Sequence, residues 1–107
     1  MAKKAGLDPK IMVKVVSSGA GGSWALQNLG PKILQQDFAP GFMIDLLSKD
    51  LRLVMELAQQ YKASLPGTSL AQQLFTAAQA HGLGREGTQA LAKMIQALNQ
   101  PQSQIAT

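Results

Sequence analysis

Between Phe42 and Lys62 no proline or glycine interrupts the chain, and apolar residues recur at three- and four-residue steps. Ile44, Leu47, Leu51, Val54, Ala58 and Tyr61 fall on one stripe of an α-helix, because a period of 3.6 stacks such positions along one face. Leu46, Leu53 and Leu57 form a second stripe to one side. An apolar arc that wide suits a central helix contacted from two directions. At 107 residues and 11.3 kDa the chain has room for one domain with one modest core. No period-two alternation persists anywhere, so the expected class is all-α.

The flanking segments carry their own boundary signals. Asp8-Pro9 places a capping carboxylate at Ncap and a proline at N1, which predicts a helix from about Pro9 to Ser17. Its residues Ile11, Met12, Val13, Val15 and Val16 make a strand the competitor, and the Asp-Pro cap decides for helix. Ser18–Ser23 reads as a glycine-rich loop, followed by a short helix around Trp24–Leu29. Gly30-Pro31 should stop that segment and let a second short one start at Pro31. Asp37–Gly41 is a further turn. After Leu65-Pro66-Gly67, Ser69 with Gln72 reads as a capping box for a helix to about His81, closed by Gly82. A last helix is expected over roughly Arg85–Leu98, with Leu91, Met94, Ile95 and Leu98 on its inner face. At the start, Met1–Ala5 has helix-forming composition and meets Gly6, so the chain reads as opening in the last turn of a longer helix. The expected domain is 1–98, with 99–107 a polar tail.

Composition removes several function classes. The absence of cysteine excludes disulfides, thiolate zinc sites and a thiol nucleophile, and a single histidine offers no metal cluster; no metal site is expected. The low net charge and 46% apolar content exclude a disordered chain, and no apolar run is long enough to span a bilayer. The amino terminus lacks a signal-peptide pattern, which makes a cytoplasmic address the expectation. Ten Lys/Arg against six Asp/Glu give +4, yet the cations are scattered and not interleaved with aromatics, which is poor material for nucleic-acid binding. Charged residues reach only 15%, against roughly 25% in ordinary domains. A chain so short of polar covering is expected to bury a contact surface.

Single motifs carry little chemistry by themselves. Gly19-Ala20-Gly21-Gly22 fails the dinucleotide-loop spacing, since Trp24 stands where the third glycine belongs. Lys49 lies four residues after Asp45, which suggests a surface ion pair. Trp24 reads as a core or interface aromatic. His81, beside a capping glycine, should complement the negative helix terminus.

Taken in order, the segments resemble one family. Ala5-Gly6-Leu7-Asp8-Pro9, Ser23-Trp24-Ala25-Leu26, Asp37-Phe38-Ala39-Pro40-Gly41-Phe42 and Ser48-Lys49-Asp50-Leu51-Arg52-Leu53 resemble the C-terminal domain of the β-hydroxyacid dehydrogenases. That family includes 3-hydroxyisobutyrate dehydrogenase and tartronate semialdehyde reductase. Leu65-Pro66 with Thr68, and Gly82-Leu83-Gly84, continue the likeness. After Gly84 the family often shows an Asp and a Ser, where this chain has Gly87 and Gln89.

The resemblance implies a helical bundle of the 6-phosphogluconate-dehydrogenase C-terminal type, here lacking most of its first long helix. It implies a partner Rossmann domain, a homo-oligomer formed through apolar helix faces, and NAD or NADP in the intact enzyme, with none bound to this chain alone. By the same likeness Lys49 and Phe42 contact the cofactor, while Trp24 and Asp50 line the substrate pocket. The family's proton-donating lysine lies upstream of these residues, so no catalytic residue is assigned within them. Two competing readings stand beside this one: a stand-alone helical interaction module, and a basic nucleic-acid-binding domain.

Overall fold

The computed structural model describes residues 1–100; positions 101–107, most of the expected polar tail, lie outside the described residues. Among the described residues the chain is all-α and has no strand. Its helices are α1 Pro9–Ser17, α2 Trp24–Leu34, α3 Ile44–Gln60, α4 Pro66–Ala80 and α5 Leu91–Leu98, with a 3-10 turn over Thr88–Ala90. Two compact units are present, Met1–Phe38 and the part from Ala39 onward.

In the first unit α1 begins as its sequence dictates, with the Asp8 carboxylate accepting from the Lys10 N–H at 2.9 Å and Pro9 at the first helical position. Ser23 caps α2 in the same way, its Oγ accepting from Leu26 N–H at 2.9 Å. The expected break at Gly30-Pro31 does not occur: α2 runs through it to Leu34, with Pro31 inside the helix. Gly30 is buried there. A Cβ on it would sit 3.4 Å from Val13 Cγ1 and 3.5 Å from Leu26 Cδ1, ordinary contact that leaves room for a methyl group against α1 and for little more. Half-burying Ile33 and Leu34 offsets the lost proline bond, which costs about 3 kcal/mol in an isolated helix. Replacing Gly30 by leucine is expected to overpack this crossing and cost about 2–3 kcal/mol, read as a lower urea midpoint in Trp24 fluorescence.

Among the described residues four helical turns close alike, with a left-handed residue and a bond spanning the last turn. The left-handed residues are Gly6 (φ 78°), Gln36 (φ 58°), Lys62 (φ 53°) and Gly82 (φ 79°). The closing bonds run from Leu7 N to Ala2 O, Asp37 N to Lys32 O, Ala63 N to Ala58 O and Leu83 N to Ala78 O, at 2.8–3.1 Å. Glycine takes that conformation freely, whereas a side chain costs roughly 1–2 kcal/mol. Lys62→Gly is therefore expected to stabilise the second unit by about 0.5–1 kcal/mol after glycine's own chain entropy, seen as a rise in its thermal midpoint.

The second unit packs α4 against both α3 and α5. Its buried apolar residues are small except for Ile44 and Phe75, joined by Ala58, Ala78 and Ala90. The start of α4 differs from the capping-box expectation: Pro66 is already the first helical residue, so Ser69 lies inside the helix and its N–H bonds to Leu65 O. A proline at N1 needs no donor and sets φ, and it prevails over the later signal. The last helix also starts later than Arg85. Residues 84–89 instead run beside 39–45, where Ile44 N–H bonds to Glu86 O, Asp45 N–H to Gly84 O, and Thr88 N–H to Phe42 O. Met43 offers no side-chain cap to α3, so these carbonyls satisfy two of its orphan donors. Gln89, 5% exposed, donates to Ala39 O at 3.0 Å. A Cβ on Gly87 would strike that Gln89 amide.

One expectation about α3 is corrected. Its first stripe is buried only in part, by Ile44, Leu47, Leu51 and Ala58, while Val54 and Tyr61 are exposed. The second stripe of Leu46, Leu53 and Leu57 is 42–57% exposed. On α5, Leu91 and Met94 face inward, but Ile95 and Leu98 are exposed.

Candidate functional site

Lys49 stands in the second turn of α3, where α3 and α4 bound a groove of about 300 Å³. The α3 wall is Asp45, Ser48, Lys49 and Arg52; the α4 wall is Gln72, Thr76 and Gln79. Both sets follow helical spacing, so one face of each helix supplies a wall. The Lys49 side chain makes no hydrogen bond or ion pair among the described residues. The i,i+4 pair with Asp45 does not form; the Asp45 carboxylate accepts from Gln79 Nε2 at 2.9 Å. Arg52 pairs with Glu56 at 3.0 Å on the solvent side, and the Ser48 hydroxyl is buried without a partner.

This donor set suits an oxygen-rich ligand. An unpaired ammonium and a free hydroxyl can both donate to phosphate, ribose or carboxylate oxygens, and the α3 backbone fixes their spacing. The sequence reading reached Lys49 and missed Ser48, Gln72, Thr76 and Gln79. A legible signal existed, since Gln72, Thr76 and Gln79 recur at four- and three-residue steps and so share one face of α4.

Asp50 does not share that groove. Successive helical residues turn by about 100°, and Asp50 falls among Leu46, Leu53, Val54 and Leu57, which are i−4, i+3, i+4 and i+7 from it. All four are exposed, so a carboxylate stands in the middle of a bare apolar stripe. Whatever covers that stripe must bring a cation or water to Asp50, because an unpaired buried charge is costly. Phe42, 43% exposed, is held at the start of α3 by its carbonyl bond from Thr88 N–H at 3.0 Å. Trp24 belongs to the first unit, opens α2 and is 71% exposed, which removes the core reading for it. His81 behaves as expected: Nδ1 lies 2.9 Å from Ala77 O, an atom that can only accept. Among the described residues no cluster of His, Cys, Asp or Glu could hold a metal ion, and no helix is long and apolar enough to cross a membrane.

Comparison with known proteins gives a consistent picture. A family model described as "NAD-binding of NADP-dependent 3-hydroxyisobutyrate dehydrogenase" matches residues 1–95. An uncharacterized oxidoreductase of Synechocystis is 47% identical over 91 residues, covering 85% of this chain and 31% of that protein. The probable 3-hydroxyisobutyrate dehydrogenase-like 1, mitochondrial, of Arabidopsis thaliana is 44% identical over 98 residues, covering 92% of this chain and 29% of that protein. The crystal structure of a 3-hydroxyisobutyrate dehydrogenase from Salmonella typhimurium superposes with a TM-score of 0.82 at 34% identity, over 87% of this chain and 33% of that one. The chain thus spans about a third of the length of the relatives it matches.

Proposed function

The chain belongs to the β-hydroxyacid dehydrogenase family, and from that premise we propose that it is the substrate and oligomerisation half of an NAD(P)-dependent dehydrogenase. The intact enzyme would interconvert a small 3-hydroxyacid and its carbonyl form or semialdehyde. The observation that carries this reading is Lys49, an unpaired ammonium held on a rigid helix at the rim of a polar groove.

The nicotinamide, when bound, supplies the hydride chemistry. The part of this chain is to bind and orient. Lys49 donates to cofactor oxygens and Phe42 offers an aromatic edge beside it. Trp24 keeps the substrate contact that the family likeness implies, through its exposed ring; Asp50, on another face of α3 than Lys49, is given no substrate contact. The proton is handled by a lysine of the partner portion. The chain by itself is inactive and holds no NAD or NADP, because the dinucleotide-binding loop belongs to a Rossmann domain. That domain and a second subunit are its partners, and the setting is cytoplasmic.

The test joins the cofactor-binding portion of a matched relative upstream of Met1 and follows NAD(P)H formation from small 3-hydroxyacids. Turnover by the joined protein and none by the chain alone is the expected pair of results. A folded joined protein without turnover on any such acid would sink the reading. The second reading, a stand-alone interaction module, is favoured by the bare stripe on α3. It would gain from a different protein co-purifying at fixed stoichiometry.

A further inference from the structure

Gln79 on the polar face of α4 and Gly84 in the loop that follows it converge on one carboxylate. Asp45 is the second residue of α3, four before Lys49, so spacing alone would pair the two. The two make no ion pair. Gln79 Nε2 donates to Asp45 Oδ1 at 2.9 Å, across 34 residues of sequence. The Asp45 N–H donates to Gly84 O at 2.8 Å, and the carboxylate occupies the space that a Cβ on Gly84 would need. An amide donor on α4 and a bare backbone in the following loop therefore both meet the acid.

We propose that Gln79, with Gly84, is a positioning residue that withholds Asp45 from Lys49 and so keeps the Lys49 ammonium free for an anionic or oxygen-rich ligand. The consequence for binding rests on Lys49 as a ligand contact, the reading given above. The physical logic is competitive. A Lys49–Asp45 pair would have to be broken by each incoming ligand, and the carboxylate would then stand beside the ligand's own negative charge. An amide is the right restraint, since it donates to the acid without adding a charge to the groove. A cation in its place would neutralise Asp45 but compete with Lys49 for the same ligand.

The test uses the chain itself with inorganic pyrophosphate as the probe, following the Lys49 side-chain signals by NMR in the parent, in Gln79→Leu and in Gln79→Leu with Asp45→Asn. The structure of Gln79→Leu is determined alongside. The Asp45 carboxylate is expected to swing to within about 4 Å of Lys49 Nζ. The pyrophosphate midpoint should rise about two- to five-fold, the effect of one surface ion pair to be broken, and return to the parent value or below in the double variant. Loss of helix packing alone would not be reversed by Asp45→Asn. An Asp45 carboxylate that stays against Gly84 in Gln79→Leu, or an unchanged midpoint there, overturns the proposal. If Asp45 does swing but the parent Lys49 never responds to pyrophosphate, the withholding stands and Lys49 as a ligand contact falls.

Discussion

Replacing Lys49 by methionine in the joined, two-domain protein is expected to lower kcat/KM by about 10- to 150-fold, with Lys49→Arg retaining most of the activity. The magnitude follows from a single charge-assisted hydrogen bond, worth about 1.5–3 kcal/mol when made in a site from which water is excluded. Methionine keeps most of the stem and removes the ammonium, so packing along α3 is preserved. Lys49 is exposed and its side chain has no partner among the described residues, which means the substitution breaks no contact of the fold. Thermal stability should therefore stay within about 0.5 kcal/mol of the parent. That separation is what makes the measurement informative: a loss in kcat/KM at constant stability is a loss of ligand or transition-state contact. A Lys49→Met protein within about two-fold of the parent would return Lys49 to the status of an ordinary solvated lysine. The arginine arm adds a control, because a flexible point charge and a planar fork donate differently. Near-complete rescue would mean that charge, rather than the geometry of one donor, carries the contact.

The second large effect concerns the bare stripe on α3. The purified chain is expected to sediment as a dimer or larger, and Leu53→Glu with Leu57→Lys to render it monomeric at the same concentration. Leu46, Leu53, Val54 and Leu57 are each roughly half exposed, and covering a half-exposed leucine returns about 1 kcal/mol. In a two-fold assembly both leucines count on both protomers. Their loss should weaken association by roughly a thousand-fold. The two substitutions introduce opposite charges four residues apart, the acid first, so net charge is unchanged and the helix itself is not weakened. Asp50 gives an independent arm of opposite sign. It stands in the stripe without an apolar neighbour's freedom to desolvate, so Asp50→Leu should tighten self-association. A strictly monomeric parent at high concentration would overturn this expectation. It would leave the stripe to be covered only by the partner domain.

These two sites show how far sequence reasoning reached. The helix starts at Asp8-Pro9 and Ser23, and the stops at Gly6 and Gly82, were legible because capping is local: donor, acceptor and φ lie within a few residues of one another. The periodic run after Phe42 located α3 for the same reason. Where two local signals competed, tertiary contacts chose. Gly30-Pro31 reads as a break, yet α2 continues through it to Leu34, with Gly30 buried against Val13. Ser69 with Gln72 reads as the start of α4, but Pro66, read as part of the preceding break, is its first residue.

The candidate site divides along the same line. The Ser48–Leu53 segment was enough to single out Lys49, and its likeness to a family added Phe42, Asp50 and Trp24. That Lys49 and Asp50 serve different surfaces follows from the helical turn, but which surface each one meets depended on α4 lying on one flank of α3. Nor could spacing reveal that Asp45 is taken by Gln79, since the partner is 34 residues away and the room for it comes from the absence of a side chain at Gly84. The sequence by itself determined the helical class, most of the helix ends and the family, because those rest on local hydrogen bonding and on residue order. The tertiary structure alone decided which apolar stripe stays uncovered and which ammonium stays unpaired, because burial and pairing are properties of neighbours brought together by the fold.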